Sequence, residues 1–256
     1  MHTQLFVTLA FVAALFASSY AGAQTAQPGR TKGTSLFNGR DLAGWKVPAG
    51  DNGHWKVVDG VIDYDAASEA PGDKHLWTER SYSDFVLRLD WRLKSTPYVN
   101  PNVPIIRFDG THKKNAEGRD IRIPVPDSDS GIFLRGSNKA QVNIWCWPIG
   151  SGEVYGYRTD AAMAAAVRAS VTPRVNADRD IGEWNTFEIT MRGTRLTVVL
   201  NSQTVISDAE LPGVPPSGPI ALQHHGASKE GVWTSPPSLV QFRNIFITEL
   251  PRAERR

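Results

Sequence analysis

His225 can carry a proton near neutral pH without special tuning, because imidazole titrates there on its own. It ends the run Ile220 to His225, where alternation puts Ile220, Leu222 and His224 on one face and Ala221, Gln223 and His225 on the other. Arg135 ends a similar run from Gly131, with Ile132 and Leu134 facing one way and Phe133 and Arg135 the other. A guanidinium in that position offers paired donors to a hydroxyl or to a developing oxyanion. Glu153 and Tyr155 alternate with Val154, so Glu153 could act as acid or base beside them. Asp129 precedes the Gly131 run and could serve as an acid, as a hydroxyl acceptor or as a calcium ligand. The alternative for His225 is a structural histidine at a strand end.

Between these groups lies Gln141-Val142-Asn143-Ile144-Trp145-Cys146-Trp147, which alternates with a period of two. Val142, Ile144 and Cys146 suit a core, and Gln141, Asn143, Trp145 and Trp147 form the other face. Amides beside indoles suit a surface that grips a flat polar ligand such as a sugar, with Trp145 stacking on it. Two tryptophans packed under a loop would be the plainer explanation, since Trp is mostly buried. Alternation also sets Arg88, Asp90 and Arg92 opposite Leu87, Leu89 and Trp91, facing either the cleft or solvent.

Strands must position these side chains. His54 to Val58 and Val61 to Tyr64 flank Asp59-Gly60, which predicts a hairpin with a tight primed turn. Phe85 to Leu93, Phe187 to Met191, Leu196 to Leu200, Thr204 to Ile206, Ile220 to His225 and Val240 to Leu250 read as further strands. Asp160 to Ser170 is alanine-rich and predicts one short helix. Ser95 to Ser130 and Lys229 to Ser238 hold several prolines and read as loops, the first a wall or lid over the site. The pattern predicts an all-β, two-sheet sandwich of jelly-roll type.

Leu5 to Ala17 is an apolar run followed by Ala21-Gly22-Ala23, the pattern of a signal peptide over residues 1–23. That leaves a single exported domain over 24–256, periplasmic or secreted, with no membrane anchor after cleavage. The chain holds one cysteine, so no intramolecular disulfide can form and a core must hold the fold. A formal net charge of +2, with no basic stripe, argues against nucleic acid as a partner. The tail Arg252, Arg255 and Arg256 reads as a solvated end. No zinc-type or calcium-loop spacing occurs, so no cofactor is expected, and a bound calcium or other divalent metal is an alternative without support in the residues. There is no Gly-x-Ser-x-Gly elbow around Ser130 either.

An ordered set of short motifs spans the expected mature chain: Ser35-Leu36-Phe37-Asn38-Gly39 with Gly44-Trp45, Trp55-x-Val57, Tyr82-x-Asp84-Phe85, Asp129-Ser130-Gly131-Ile132-Phe133-Leu134-Arg135, Gly182-x-Trp184-Asn185, Leu222-Gln223-His224-His225-Gly226 and Phe242-Arg243-Asn244-Ile245. The set resembles the 3-keto-disaccharide hydrolase family. The resemblance implies a concanavalin A-like lectin/glucanase fold, export, and a small carbohydrate already oxidised to a ketone at C3 as the substrate. The chain departs from the family's pattern at Asp129, where Asn is usual, at Gln141-Val142-Asn143, where Glu-Val-Gln is usual, and in the length of the Ser95 to Ser130 insertion. A C3 ketone acidifies the C2 hydrogen, so cleavage by C2 deprotonation, elimination and hydration is the expected chemistry, with His225 as base and Arg135 as oxyanion partner. A carbohydrate-binding module without catalysis is the alternative, as is a conventional glycoside hydrolase with two facing carboxylates.

Overall fold

Asp59 and Gly60 both take positive φ, 50° and 78°, and close the hairpin as a primed turn requires. The computed structural model describes residues 33–251. The expected signal peptide and the basic tail lie outside them. In chain order the strands are β1 (Thr34–Ser35), β2 (Trp45–Lys46), β3 (Lys56–Val58), β4 (Val61–Asp65), β5 (Leu76–Thr78), β6 (Phe85–Leu93), β7 (Tyr98–Pro104), β8 (Arg122–Asp127), β9 (Ser130–Leu134) and β10 (Ser137–Ile144). Helices α1 (Tyr155–Arg158) and α2 (Ala165–Ser170) follow. Then come β11 (Asn185–Arg192), β12 (Arg195–Leu200), β13 (Gln203–Glu210), β14 (Ala221–Leu222), β15 (Ser228–Lys229), β16 (Val232–Trp233) and β17 (Leu239–Glu249).

The larger sheet runs β13-β12-β11-β6-β17-β4-β3, with β1 also paired to β17. The smaller runs β10-β9-β14-β5-β2. Their facing sides make the core. Leu87, Leu89, Trp91, Phe187 and Ile189 come from the larger sheet, and Ile132, Leu134, Val142 and Ile144 from the smaller. Burying each such side chain contributes about 1.5–3 kcal/mol, so this interface replaces the staples that a single cysteine cannot supply. The architecture is a two-sheet sandwich of jelly-roll type, as expected.

Five expectations need correction. The Lys229 to Ser238 stretch, read as a loop, carries β16 paired antiparallel with β15. The Ser95 to Ser130 stretch is not a loop: β7 and β8 pair antiparallel, and bridges Ile106↔His112 and Lys114↔Asp120 extend the ladder to its tip. Its prolines are tolerated because each strand of a two-stranded ribbon is an edge, where a missing N–H need not break a ladder. The Ile220 to His225 strand pairs only over Ala221–Leu222, although Gln223 N–H still donates to the Gly131 carbonyl at 2.9 Å. The tryptophan strand ends at Ile144. The expected helix shrinks to α2, and α1 takes up Tyr155.

Candidate functional site

A cleft of about 500 Å³ opens on the outer face of the smaller sheet. The alternation that sends Ile132, Val142 and Ile144 inward turns Phe133, Gln141 and Asn143 outward, and these with Gln223 line the cleft. Asn100 and Asp127 at the base of the β7–β8 arm form one wall, and Trp145, Trp147 and Tyr155 another. His225, Asp129, Pro236 and Asn138 complete it. A second hollow of about 270 Å³, on the far side of Trp145 and Trp147, is lined by Leu93, Asn176 and Arg179 among others and holds neither His225 nor Asp129.

His225 is half-buried, and its Nδ1 lies 2.6 Å from the Pro236 carbonyl. A carbonyl only accepts, so Nδ1 carries the hydrogen, and in the neutral ring the lone pair sits on Nε2. The Asp129 carboxyl makes no hydrogen bond among the described residues. Burial pushes its pKa up to about 7; His225 pulls the other way, and Asp127 pushes further up. Buried Ser238 ties the two together, its Oγ accepting from the His225 N–H and donating to the Asp129 carbonyl, both at 2.6 Å. The site therefore offers a proton acceptor and a proton-bearing acid in one cleft.

Asp127 is differently employed. It accepts from Asn100 Nδ2 at 3.2 Å, Trp147 Nε1 at 3.0 Å and the Cys146 N–H at 3.3 Å, which fixes the arm base to the tryptophan turn. Burial still raises its pKa. Trp145 is only 3% exposed, donates through Nε1 to the Gly150 carbonyl, and lies flat on Trp147 with centroids 4.1 Å apart. Its faces are not free to stack on a sugar as expected. Trp147 and Tyr155 carry the aromatic surface the cleft can offer. Cys146 is half-buried, and burial pushes its thiol up to about 12.

The structure removes four expected residues from the site. Arg135 adopts φ 53°, which turns its side chain away from the face that strand parity assigned. Its guanidinium pairs with Asp84 at 2.9 Å and donates to the carbonyls of Ser83, Gly193 and Pro215. Glu153 is fully buried in an ion pair with Arg158 and does not line the cleft; burial pushes its pKa up to about 7, against Arg158. Asp90 and Arg92 lie on the outer face of the larger sheet. There Asp90 accepts from Thr186 and Asn244, and Arg92 donates to Gln241 and covers Trp184. His224 is held by the Tyr64 hydroxyl at 2.7 Å, and burial lowers its pKa to about 4.

Sequence reasoning missed Asn100, Asp127, Pro236 and Ser238. Asp127 stands two residues before Asp129, a same-face spacing that could have paired them; Asn100, Pro236 and Ser238 sit in stretches read as loops, with no periodicity to aim them. No group of three or more His, Cys, Asp or Glu side chains that could hold a metal occurs among the described residues.

Residues 32–248 match the family described as the 3-keto-alpha-glucoside-1,2-lyase-like domain. No curated protein matches the chain at a significant level. Two crystal structures of candidate glycosyl hydrolases from Parabacteroides distasonis ATCC 8503 are similar to it. One has a TM-score of 0.55 and 22% identity, covering 86% of this chain and 84% of that one. The other has a TM-score of 0.51 and 19% identity, with 86% and 94% covered. At those identities the likeness is one of fold. With the match running through both sheets and the whole cleft, the chain belongs to the 3-keto-alpha-glucoside-1,2-lyase-like family and has a carbohydrate-active role.

Proposed function

We propose that the protein cleaves the glycosidic bond of 3-keto-glycosides, with His225 as base and Asp129 as acid. His225 Nε2 takes the C2 hydrogen, and the C–H electron pair forms a C2–C3 enediolate. The enediolate collapses to restore the C3 ketone and make a C1–C2 double bond. The C1–O bond breaks, and the leaving oxygen takes the Asp129 proton. Water then adds its oxygen to C1 while a proton returns to C2, which releases the 3-keto sugar. The family's description supports the elimination half of this sequence.

The observation that carries the proposal is the pairing of an open His225 Nε2 with a carboxyl whose pKa is about 7. General acid–base catalysis works best with groups near the working pH. A conventional glycoside hydrolase needs two carboxylates flanking the bond. Asp127 is engaged three times and Glu153 lies outside the cleft, so Asp129 is the one unengaged carboxyl lining it among the described residues.

Matched native and 3-keto disaccharides, followed by NMR in deuterated water, test this. The 3-keto substrate should be cleaved, with deuterium appearing at C2 of the released sugar, and the native one left intact. His225→Ala should lower turnover by about 10²–10⁴-fold. Cleavage of the native disaccharide without deuterium at C2 would overturn the mechanism.

A further inference from the structure

With Arg135 pinned at the sandwich end, an elimination through an enediolate needs another donor for the oxygen at C3. Gln141 Nε2 lies 3.4 Å from the Ser130 carbonyl and also donates to Gln223 Oε1. Because a backbone carbonyl can only accept, it sets the Gln141 amide with nitrogen toward Ser130, and the nitrogen's second hydrogen then claims the Gln223 oxygen. Both Gln141 hydrogens are thereby engaged. The Gln223 amide is fixed in turn, oxygen toward Gln141 and NH₂ on the opposite branch. That NH₂ has no partner among the described residues, and Gln223 lines the cleft.

The backbone holds this arrangement in place. Gln223 N–H donates to the Gly131 carbonyl at 2.9 Å, and the Gln223 carbonyl accepts from Ser130 Oγ at 3.0 Å, with Ser238 Oγ, whose hydrogen goes to the Asp129 carbonyl, 3.2 Å away. Ser238 is the same residue that joins Asp129 to His225. Gly131 supplies the space, since a Cβ there would fall inside van der Waals contact of Gln141 Nε2 and Cγ. Its need for glycine is one of room, as its φ is not in the left-handed region.

We propose that Ser130, Gln141 and Gln223 form a polarised amide relay that holds the Gln223 NH₂ in the cleft as the donor to the substrate's C3 oxyanion. Gln141 is then a positioning residue and Gln223 the group that touches substrate. The inference rests on the elimination reading above. A donor held before the charge develops needs no reorganisation during reaction, and removing one such donor costs about 10²–10³-fold in kcat. Replacing Gln141 by Glu reverses the relay: a carboxylate accepts, so the Gln223 NH₂ turns to it and the Gln223 oxygen faces the enediolate.

Two measurements test the relay. In ¹H–¹⁵N spectra of the unliganded wild-type protein, the Gln141 side-chain amide protons should exchange slowly with water and those of Gln223 rapidly. The reverse pattern overturns the relay without any variant being made. With a 3-keto disaccharide, Gln141→Glu and Gln223→Glu should each lose about 10²–10³-fold in kcat while KM changes by no more than about threefold. A Gln141→Glu protein with wild-type kcat overturns the relay alone. A wild-type protein inert toward 3-keto disaccharides overturns the elimination reading, and the donor role of Gln223 falls with it.

Discussion

Ionising Asp129 in place sets a negative charge in a recess where no donor meets it, which is why its proton stays on to about pH 7. An unfolded Asp titrates near 3.9, so the folded state binds this proton more tightly than the unfolded one. The resulting stabilisation is full below about pH 4 and is lost as pH rises through about 7. Asp129→Asn keeps the shape and abolishes the titration. Its urea midpoint should exceed the wild type's by far more at pH 8 than at pH 4.5, while turnover falls because the leaving oxygen has no acid. An equal gain at both pH values would show that relief of the buried charge is not the cause. Glu153, also raised to about 7, keeps its own pH dependence in the variant.

Where strand and turn chemistry agreed, the elements were legible. Phe85–Leu93 buries every second residue, and the β3–β4 turn lies on Asp59-Gly60 as expected. Parity failed where the backbone left the strand. Arg135 was placed by counting from Ile132, but its left-handed φ ends that count one residue too soon. Gln223 and His225 reach the cleft although β14 ends at Leu222, because Gly131 and Ser238 hold their backbones. The β7–β8 arm was hidden by its prolines, which depress strand propensity without forbidding an edge. The arm is also docked: Gly110, at φ 78°, lies against the Arg168 carbonyl of α2, and His112 meets Arg158 of α1 at 3.2 Å. Gly110→Val puts a branched side chain at positive φ against that carbonyl. It should release the tip, speed proteolysis between residues 105 and 121, and raise KM with kcat little changed, since only Asn100 and Asp127 at the arm's base line the cleft. Unaltered proteolysis would mean that the tip is held by other contacts.

For the whole molecule, Arg135 is a bolt between the two sheets. It follows β9 of the smaller sheet and reaches Asp84, just before β6, and Gly193, in the β11–β12 turn, both of the larger. Its side chain is 1% exposed, so water screens the pair little. Breaking a buried pair by removing one partner costs about 3–5 kcal/mol. Arg135→Met should therefore lower stability by that order in urea unfolding, whereas the protein that remains folded should keep the wild-type KM and kcat. A variant of normal stability and lost turnover would return Arg135 to the chemistry. The division of labour was only half legible in the residues. The motif that carries Arg135 also carries Asp129, and nothing in residue type tells a bolt from an acid.

The Trp145–Trp147 pair has an optical consequence. Two indoles with planes 6° apart and centroids at 4.1 Å share their electronic excitation, so they should give a paired band of opposite signs in ultraviolet circular dichroism and a fluorescence dimmer than that of two separate rings. Because the pair stands between the cleft and the second hollow, any occupant that shifts Trp147 must change that band. The protein thus carries a colourless dye of its own at the wall of its site, readable before any product has formed.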